Sequence, residues 1–452
     1  MGGIVGLFPG EETFPLGDES AEYAMSPLEP ILRPLIRSGS LCVIDWKGKK
    51  KNYGDGTGSP ITIRIHDRAT GWRLMLDPQL EAGEAYMDGR LTVEEGTFFD
   101  FLDLIFRSVG LHLMTYPLSG VRETGRRLLR RLHQFNPAAR SRQNVAHHYD
   151  LSDLLYDNFL DTDCQYSCGY FLSDHDTLEE AQAQKKRHLA AKLLLKEGHR
   201  VLDIGSGWGG LGLYLGSTFH TDVTGLTLSC EQYTVSNRRA REAGLEDRVR
   251  FKLLDYRQEE GLYDRIVSVG MFEHVGINHY GEFFRKIADR LTDDGVALLH
   301  SIGRPEGPGF TNPWIEEYIF PGGYSPALSE ILAAVEQAGL LVTDIEILRI
   351  HYAETLKIWR ERFYKNRAAI RNLYDERFCR MWEFYLISSE LSFRHQGMMV
   401  FQMQLAKRSD AIPITRDYIT RFEKEHSVAP IPQYFQRSAV DDKGAGVVRP
   451  SA

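Results

Sequence analysis

Cysteine is scarce in this chain, and its spacing offers no metal site. The 452 residues include five cysteines, no two of which form a Cys-x-x-Cys pair. No other spacing typical of metal ligands is evident in the sequence. We therefore expect a protein of a reducing compartment, with neither a disulfide framework nor a bound metal.

Long apolar runs and an excess of basic charge are also absent. No stretch reaches the roughly 18 apolar residues that a membrane-spanning helix needs, and the N-terminus lacks the basic leader and apolar core of a signal peptide. The formal net charge of −8 argues against a general binder of nucleic acid or another polyanion. These absences predict a cytoplasmic chain with no membrane span and no nucleic-acid partner.

The N-terminal part of the chain has the pattern of a small α+β unit. Residues 1–37, rich in proline, glycine and glutamate, are predicted to be loose. Residues 38–120 form the unit itself, with strands predicted at 41–44 and 61–65. A turn-rich connection at 47–58 is expected to join them.

The larger part, residues 144–410, alternates strands with helices. This alternation predicts a parallel sheet with right-handed crossovers. A long helical insertion is expected at about 325–390, a last strand at 398–405, and a polar C-terminal tail at 411–452. The parallel strands are predicted at 200–204, 222–226, 249–254, 264–269 and 296–302.

Between the two parts, residues 121–143 concentrate arginine. Residues 122–142 hold seven arginines against one glutamate, and Leu128, Leu132 and Phe135 fall on one helical face. A basic amphipathic helix of this kind binds an anionic membrane surface or serves as a solvated linker between domains. The sequence leaves both alternatives open.

The most informative segment is Val201–Gly210, where a short apolar strand enters a glycine-rich turn. Such a turn lets the backbone approach a ligand closely, and alone it fits NAD, FAD, S-adenosylmethionine (SAM) or merely a tight turn. The Gly-x-Gly-x-x-Gly spacing of nicotinamide enzymes is met, but the acid expected about 20 residues further on is missing. Asp203 and Asp255 instead suit a SAM-dependent methyltransferase.

Eight motifs follow one another along the larger part. They are His147–Asp150, Gln165–Cys168, Val201–Gly210, Gly225–Ser229 with Gln232, Tyr263–Gly276, Leu299–Gly303, Tyr318–Tyr324 and Tyr352–Trp359. In order and composition they resemble the cyclopropane fatty acid synthases, from about residue 140 to 407. The resemblance implies an α/β fold, a Rossmann-like class I SAM-dependent methyltransferase, with a smaller α+β N-terminal lipid-binding domain.

The resemblance also implies a reaction, in which a methylene from SAM is added to a cis double bond of a phospholipid acyl chain. A bound bicarbonate then deprotonates the carbocation that forms. His300, the Tyr352 hydroxyl and the Ile302 N–H can donate hydrogen bonds to such an anion, and Glu273 can accept its proton. Cys168 also matches this site, although each of these residues taken singly would be interpreted as structural.

SAM itself is expected to contact the glycine loop and the strand ends beside it. The expected residues are Tyr166, Ser167, Asp203, Gly205, Gly207, Trp208, Thr227, Leu228, Gln232, Tyr256 and Arg257. The rings of Tyr318, Phe320 and Tyr324 either stabilise a cation through their faces or belong to the core. The implied partners are unsaturated phospholipids, reached by a peripheral protein, a homodimer in relatives, on the inner face of the membrane.

Three rival functions stay open on the sequence. A fatty acyl methyltransferase of the 10-methyl type would share SAM and the alkene, but the complete set of bicarbonate residues argues for ring closure. A methyltransferase for a soluble small molecule is disfavoured by the lipid-type N-terminal unit. A non-enzymatic lipid-binding scaffold is disfavoured because the site residues are retained.

Overall fold

Two β-sheets organise the part of the chain that the computed structural model describes, residues 27–111 and 153–426. The predicted basic helix at 121–143 lies outside these residues, as do the motif at 147–150 and the two ends of the chain. Across the described ranges, no helix is both long enough and apolar enough to cross a membrane.

The smaller unit combines a four-stranded sheet with four described helices. They are β1 (Leu41–Ile44), β2 (Lys50–Tyr53), β3 (Ile61–Ile65) and β4 (Leu91–Glu95), with α1 (Glu29–Leu35), α2 (Arg68–Leu76), α3 (Pro78–Met87) and α4 (Phe98–Val109). In the sheet order β2-β1-β3-β4, β1 is antiparallel to β2 and parallel to β3, and β3 is antiparallel to β4. Helix α4 begins at a capping box, in which Thr97 and Asp100 exchange hydrogen bonds.

Two elements of this unit lie where the sequence predicted none. Helix α1 lies in the segment 1–37 that was expected to be loose, and Leu28, Leu32 and Ile36 are buried along it. Prolines within and at the start of α1 obscure this four-residue spacing. Strand β2 lies in the predicted turn 47–58; its residues are mostly polar, so its pairing with β1, rather than its own pattern, makes it a strand.

The larger unit is built on a seven-stranded sheet. Its strands are β5 (Arg200–Ile204), β6 (Asp222–Thr227), β7 (Val249–Leu253), β8 (Tyr263–Val269), β9 (Leu291–Gly303), β10 (Leu341–Ile347) and β11 (Met399–Ala406). In the order β10-β11-β9-β8-β5-β6-β7, strands β5 to β9 are parallel and β11 runs antiparallel between β9 and β10. The predicted Rossmann-like α/β fold is confirmed.

Helices flank this sheet, and two elements here correct the sequence analysis. The described helices are α5 (Asp153–Asp157), α6 (Leu178–Lys192), α7 (Gly210–Phe219), α8 (Cys230–Glu242), α9 (Tyr280–Arg290), α10 (Pro313–Tyr318), α11 (Leu328–Gln337), α12 (His351–Leu373), α13 (Glu376–His395) and α14 (Asp417–Glu425). Strand β10 interrupts the predicted helical insertion, because its run of branched residues suits a strand. Helix α14 lies in the predicted tail, where Ile419 is buried and Phe422 packs on Phe219.

The two units share one hydrophobic core. Tyr86 on α3 stacks on Phe98, with ring centroids 3.5 Å apart, and donates a hydrogen bond to Glu383 Oε2 at 2.9 Å. The same core contains Tyr166 and Tyr352 of the predicted site. The smaller unit therefore packs directly behind the helices that form one side of that site.

Candidate active site

A cleft of about 1200 Å³, counted to its open mouth, lies at the carboxyl ends of β5, β6 and β8. Ligands bind at this edge of an open α/β sheet. Every residue that we predicted to contact SAM lies on its wall. They are Tyr166, Ser167, Asp203, Gly205, Gly207, Trp208, Thr227, Leu228, Gln232, Tyr256 and Arg257.

The glycine loop between β5 and α7 needs its glycines for two different reasons. Gly205 and Gly209 have φ values of +85° and +86°, and a Cβ on them would lie 2.6 Å from Met271 and 2.7 Å from Phe251. Gly207, at φ +55°, has nothing within 4 Å of the position of a Cβ. The first and third glycines therefore allow tight packing, and the second presents bare backbone to the cleft.

The wall that follows β6 and β7 is held by local hydrogen bonds. Thr227 donates to Gln232 Oε1 at 2.8 Å, and Ser229 caps α8 by accepting from the Gln232 backbone N–H at 3.3 Å. Arg257 donates to Asp255 from Nε at 2.8 Å and from Nη2 at 2.6 Å. Asp255 therefore fixes the arginine at the far end of the cleft.

The segment before α6 brings aromatic and polar groups to the other wall. The Tyr166 ring stacks on Trp359 with centroids 5.2 Å apart, and its hydroxyl lies 2.9 Å from that of Tyr385. Gln182 donates to the Ser167 carbonyl at 2.8 Å. These contacts hold Tyr166 and Ser167 in place before any ligand arrives.

Asp203, at the end of β5, is a buried acid facing the cleft. It is 1% exposed, and its Oδ2 has no hydrogen-bond partner. Burial raises the pKa of Asp203 to about 7. A buried carboxylate without a partner is unfavourable, so a cationic ligand group would satisfy it.

Glu273 and Ile302, two of the predicted bicarbonate residues, contact each other. The Ile302 backbone N–H donates to Glu273 Oε1 at 2.7 Å, whereas Oε2 is buried without a hydrogen-bond partner. Burial raises the pKa of Glu273. In this arrangement the Ile302 N–H is engaged by Glu273, and its expected role in binding an anion stays a prediction.

His300 lies beside them on β9. Its Nδ1 is 3.2 Å from Nε2 of Gln402, its cross-strand neighbour on β11. Burial holds the pKa of His300 well below its usual range, so the imidazole is neutral. When the Gln402 amide nitrogen donates to Nδ1, as its orientation in this structure has it, the histidine proton is on Nε2.

Cys168 and Tyr352 lie in the shared core, against which Ile302 also packs. The Cys168 thiol donates to the Gly169 carbonyl at 3.2 Å, and burial raises its pKa, so it stays protonated. The Tyr352 ring packs edge-on against Phe393, with centroids 4.8 Å apart. Their predicted role in binding an anion stays a prediction.

The three rings considered for cation stabilisation separate in the structure. The Tyr318 hydroxyl donates to Glu84 of the smaller unit at 3.0 Å, and the Tyr324 hydroxyl donates to Glu330 at 2.7 Å. Phe320 lies 5.9 Å from the ring of His274, a residue of the cleft wall. Phe320 is therefore the one of the three whose ring is next to the cleft.

Sequence reasoning missed two residues, Lys185 and Gln402. Lys185 lines the cleft from α6 and is fully buried. Gln402 contacts His300 only because β11 pairs with β9 in a particular register. The available signals were a lysine in line with Ala181 and Leu189 on α6 and a glutamine within the largely apolar strand β11.

A glycine loop after the first strand of a seven-stranded sheet, with one antiparallel strand inserted, defines the class as a SAM-dependent methyltransferase. Solved structures agree with this class. The cyclopropane synthase MmaA2 from Mycobacterium tuberculosis matches with a TM-score of 0.57 and 33% identity, over 60% of this chain and 99% of its own.

The chain belongs to the mycolic acid cyclopropane synthetase family, whose model matches residues 137–403. A model described as a domain of unknown function matches residues 36–114. The "Cyclopropane-fatty-acyl-phospholipid synthase" of Escherichia coli K12 is 36% identical over 77% of this chain and 88% of its own length. The "Probable fatty acid methyltransferase" of Pseudomonas putida is 38% identical over 58% and 68% respectively. The predicted family and enzyme class are confirmed.

Proposed function

We propose that this enzyme converts a cis double bond of a phospholipid acyl chain into a cyclopropane ring, with SAM as the donor. The observation that carries the proposal is the presence of two buried polar groups, the Oε2 atom of Glu273 and the imidazole of His300, near the hydrogen bond that links Glu273 to Ile302. The carboxylate oxygen has no hydrogen-bond partner, and the neutral imidazole has an N–H to donate. The His300 carbonyl accepts from the N–H of Gly270, a residue of the cleft wall, at 2.9 Å, and Met271 and His274 of the same wall flank Glu273, so the backbone at both positions adjoins the cofactor cleft.

Ring formation requires a base close to the SAM methyl group. Bound SAM supplies an electrophilic methyl group, and the double bond attacks that carbon as its bond to sulfur breaks. The acyl chain is left as a carbocation carrying a new methyl group. Loss of one proton from that methyl frees its C–H electron pair to close the ring, so a base has to stand near the methyl group.

The Glu273 and His300 pair fits a bicarbonate ion, which when bound would supply that base. Glu273 Oε2 would accept the hydroxyl proton of the bound ion, and the Nε2–H of His300 would donate to one of its oxygens. The neutral imidazole adds no charge of its own, so the anion keeps its basicity.

The direct test is mass spectrometry and NMR of liposomes that contain monounsaturated phospholipid, after incubation with the enzyme, SAM and bicarbonate. We expect a mass gain of one CH₂ per chain, loss of the alkene signal and a cyclopropane methylene resonance. Transfer only to soluble acceptors would overturn the proposal.

A fatty acid methyltransferase is the second candidate, supported by the name of the Pseudomonas putida relative. It would use the same cofactor and alkene, but the carbocation would rearrange and lose its proton elsewhere. The same experiment separates the two, since a gain of CH₂ with a methyl or methylene signal in place of the cyclopropane resonance indicates the second.

Glu273→Gln tests the role of the carboxylate. The amide cannot take the hydroxyl proton of the ion, so we expect kcat to fall by about 10²- to 10⁴-fold, the usual contribution of acid–base catalysis. Calorimetry should show unchanged SAM affinity. Glu282→Gln, an acid-to-amide change on the surface beside His279, is the matched control; equal turnover of both variants would contradict the assignment.

We propose that the enzyme acts at a membrane surface. Helix α2 exposes Trp72 and Leu76, at 45% and 43%, next to exposed Arg68 and Arg73. Aromatic and apolar side chains flanked by arginines suit the boundary between lipid headgroups and acyl chains. The inner-face location and the homodimer stay predictions.

A further inference from the structure

Helix α6 carries two adjacent buried lysines in opposite electrostatic settings. Lys186 forms a salt bridge with Asp163, with 2.5 Å between Nζ and Oδ2. Lys185 is 1% exposed, and its ammonium donates to two neutral acceptors, Gln165 Oε1 at 2.7 Å and Ser167 Oγ at 2.8 Å. Within the described ranges, no carboxylate lies within salt-bridge distance of Lys185.

The setting of Lys185 is unfavourable in the free protein. Lysine is almost never fully buried unless it is paired. Burial lowers the pKa of Lys185 to about 8, despite the attraction of Asp161 and Asp163. A methionine would fill the same space without this penalty, so the charge points to a ligand.

Lys185 is one of the residues that line the cleft, together with Gln165 and Ser167, which accept its hydrogen bonds, and with Asp203. The Lys185 charge interacts electrostatically with Asp203, whose Oδ2 has no hydrogen-bond partner. This end of the cleft thus offers one cation and one acid. That pair complements an α-amino acid, in which a carboxylate and an ammonium share one carbon.

We propose that Lys185 binds the α-carboxylate at the methionine end of SAM. The inference rests on the proposed function in taking SAM as the ligand. Ser167 and Gln165 each accept one N–H of the ammonium, which leaves its third N–H for the carboxylate. The role is that of a binding residue, not of a proton carrier.

Bicarbonate presents similar anion chemistry, and the charge of Lys185 also reaches His300. The position of Lys185 favours the SAM carboxylate over bicarbonate as its ligand. Both acceptors of Lys185 belong to the segment 165–167, which lines the cofactor cleft, whereas the proposed bicarbonate pair lies on β9 and the loop after β8. The experiment has an arm for each anion.

The test is calorimetric titration of wild type and Lys185→Met with SAM and with decarboxylated SAM, which keeps the sulfonium and the ammonium. We expect the variant to lose about 10- to 100-fold in affinity for SAM, the range of a charge-assisted hydrogen bond. Its affinity for decarboxylated SAM should equal or exceed that of wild type. An equal loss for both ligands would overturn the inference.

Two further variants protect the test against a simple folding defect. Lys185→Met removes an unpaired buried charge, so the melting temperature of the free protein should not fall. Lys186→Met breaks the ion pair with Asp163 and should lower the melting temperature without discriminating between the two ligands. Lys185→Arg, which keeps the charge, should restore part of the preference for SAM over its decarboxylated analogue.

The bicarbonate arm measures turnover against bicarbonate concentration in the liposome assay. An unchanged SAM affinity in Lys185→Met together with a raised bicarbonate requirement would assign Lys185 to bicarbonate and overturn the inference. Failure of the proposed function is distinguishable, since wild type would then not bind SAM or would bind it without modifying lipid. If the lipid is not modified, but Lys185→Met still weakens binding of SAM and not of decarboxylated SAM, the proposed function fails and the inference about Lys185 is supported.

Discussion

At the scale of single residues, the site depends on buried polar groups that are held neutral or left without a partner. Glu273, Asp203 and Lys185 each carry an atom or charge that no protein group satisfies fully. Such groups lower the stability of the free protein and are expected where a ligand completes them. The site is therefore built at the expense of stability.

Gln402→Leu tests whether the amide sets the tautomer of His300. Without the donor to Nδ1, the imidazole proton is free to occupy either nitrogen, and the Nε2–H aimed at the anion is lost from part of the molecules. We expect kcat to fall roughly 10- to 100-fold, as for other residues that orient a functional histidine, with SAM affinity unchanged. Nitrogen-15 shifts of the imidazole report the tautomer directly.

Gln404→Leu is the matched control on the same strand, because Gln404 contacts the Lys192 carbonyl and Tyr418, not His300. It should leave the imidazole spectrum unchanged. A loss of activity in Gln402→Leu with an unaltered tautomer would contradict the positioning role.

Asp203→Asn tests the pH dependence of the free protein. The pKa of Asp203 is raised from 3.8 to about 7, so the folded state holds this proton more tightly than the unfolded chain. The stabilisation is fully present below pH 3.8 and is lost as the pH rises to about 7. The asparagine is neutral at every pH. The unfolding free energy of the variant minus that of wild type should therefore increase as the pH rises through this interval.

Denaturant titrations of the ligand-free proteins at a series of pH values measure this difference. Above pH 7 the difference in unfolding free energy should level off. The SAM affinity of Asp203→Asn should be lower than that of wild type, because the variant lacks the carboxylate. Parallel stability curves for the two proteins would show that Asp203 already has a partner in solution.

At the scale of secondary-structure elements, how well the sequence predicted each one depended on where the element's stability comes from. Strand β5 was predicted with the bounds it has, since a buried parallel strand is a short apolar run ended by glycine. Helix α1 was missed because its prolines obscure its apolar spacing, and strand β2 was missed because its pairing with β1, rather than its own polar sequence, makes it a strand. Strand β10 was included in a predicted helical run because its residues are exposed or half-buried and show no buried apolar pattern.

The same distinction holds in the site. Gly205 and Thr227 were placed on the cleft from sequence, because each lies at the carboxyl end of a predicted strand. Spacing along a strand and its loop determines the position of such a residue. Gln402 and Lys185 contribute through contacts between separate elements, and a single sequence carries no register between strands. Resemblance supplied Glu273 and His300, but not the bond from Ile302 that leaves only one carboxylate oxygen unpartnered.

Helix α2 gives a prediction at this scale. The double variant Trp72→Ala and Leu76→Ala removes the apolar groups that we expect to enter the lipid interface. Each full burial of such a side chain is worth about 1.5–3 kcal/mol, so partial burial of both should weaken binding to anionic liposomes roughly 10-fold or more. Flotation measures the binding.

Leu262→Ala and Ile414→Ala, at exposed positions outside α2, are the matched controls and should bind liposomes like wild type. Turnover of detergent-dispersed lipid should be unchanged in every variant, because none of the substituted residues lines the cleft. Wild-type liposome binding by the double variant would remove α2 from the membrane contact.

At the scale of the whole molecule, the shared core predicts that the two units unfold together. Phe98 stacks on Tyr86 and lies 6.1 Å, between ring centroids, from Phe384 of the larger unit. Phe98→Ala should cost about 3–5 kcal/mol, the range for removing a buried phenylalanine. Scanning calorimetry should show a single transition, shifted to lower temperature.

The control is Leu262→Ala, whose exposed side chain should change stability by at most about 0.5 kcal/mol. Loss of SAM binding in Phe98→Ala should follow the same transition as loss of secondary structure. Two transitions, of which only the first shifts, would show that the units are independent.

Strand β11 has a consequence for the order in which a newly made chain becomes active. It inserts between β9 and β10, both of which leave the ribosome earlier, and it supplies the Gln402 that contacts His300. The nucleotide-binding half can form during synthesis, whereas the imidazole acquires its partner only when almost the entire catalytic unit has emerged. Nascent chains are thus able to hold the methyl donor before they can use it, and reactive chemistry on lipid begins only in finished molecules.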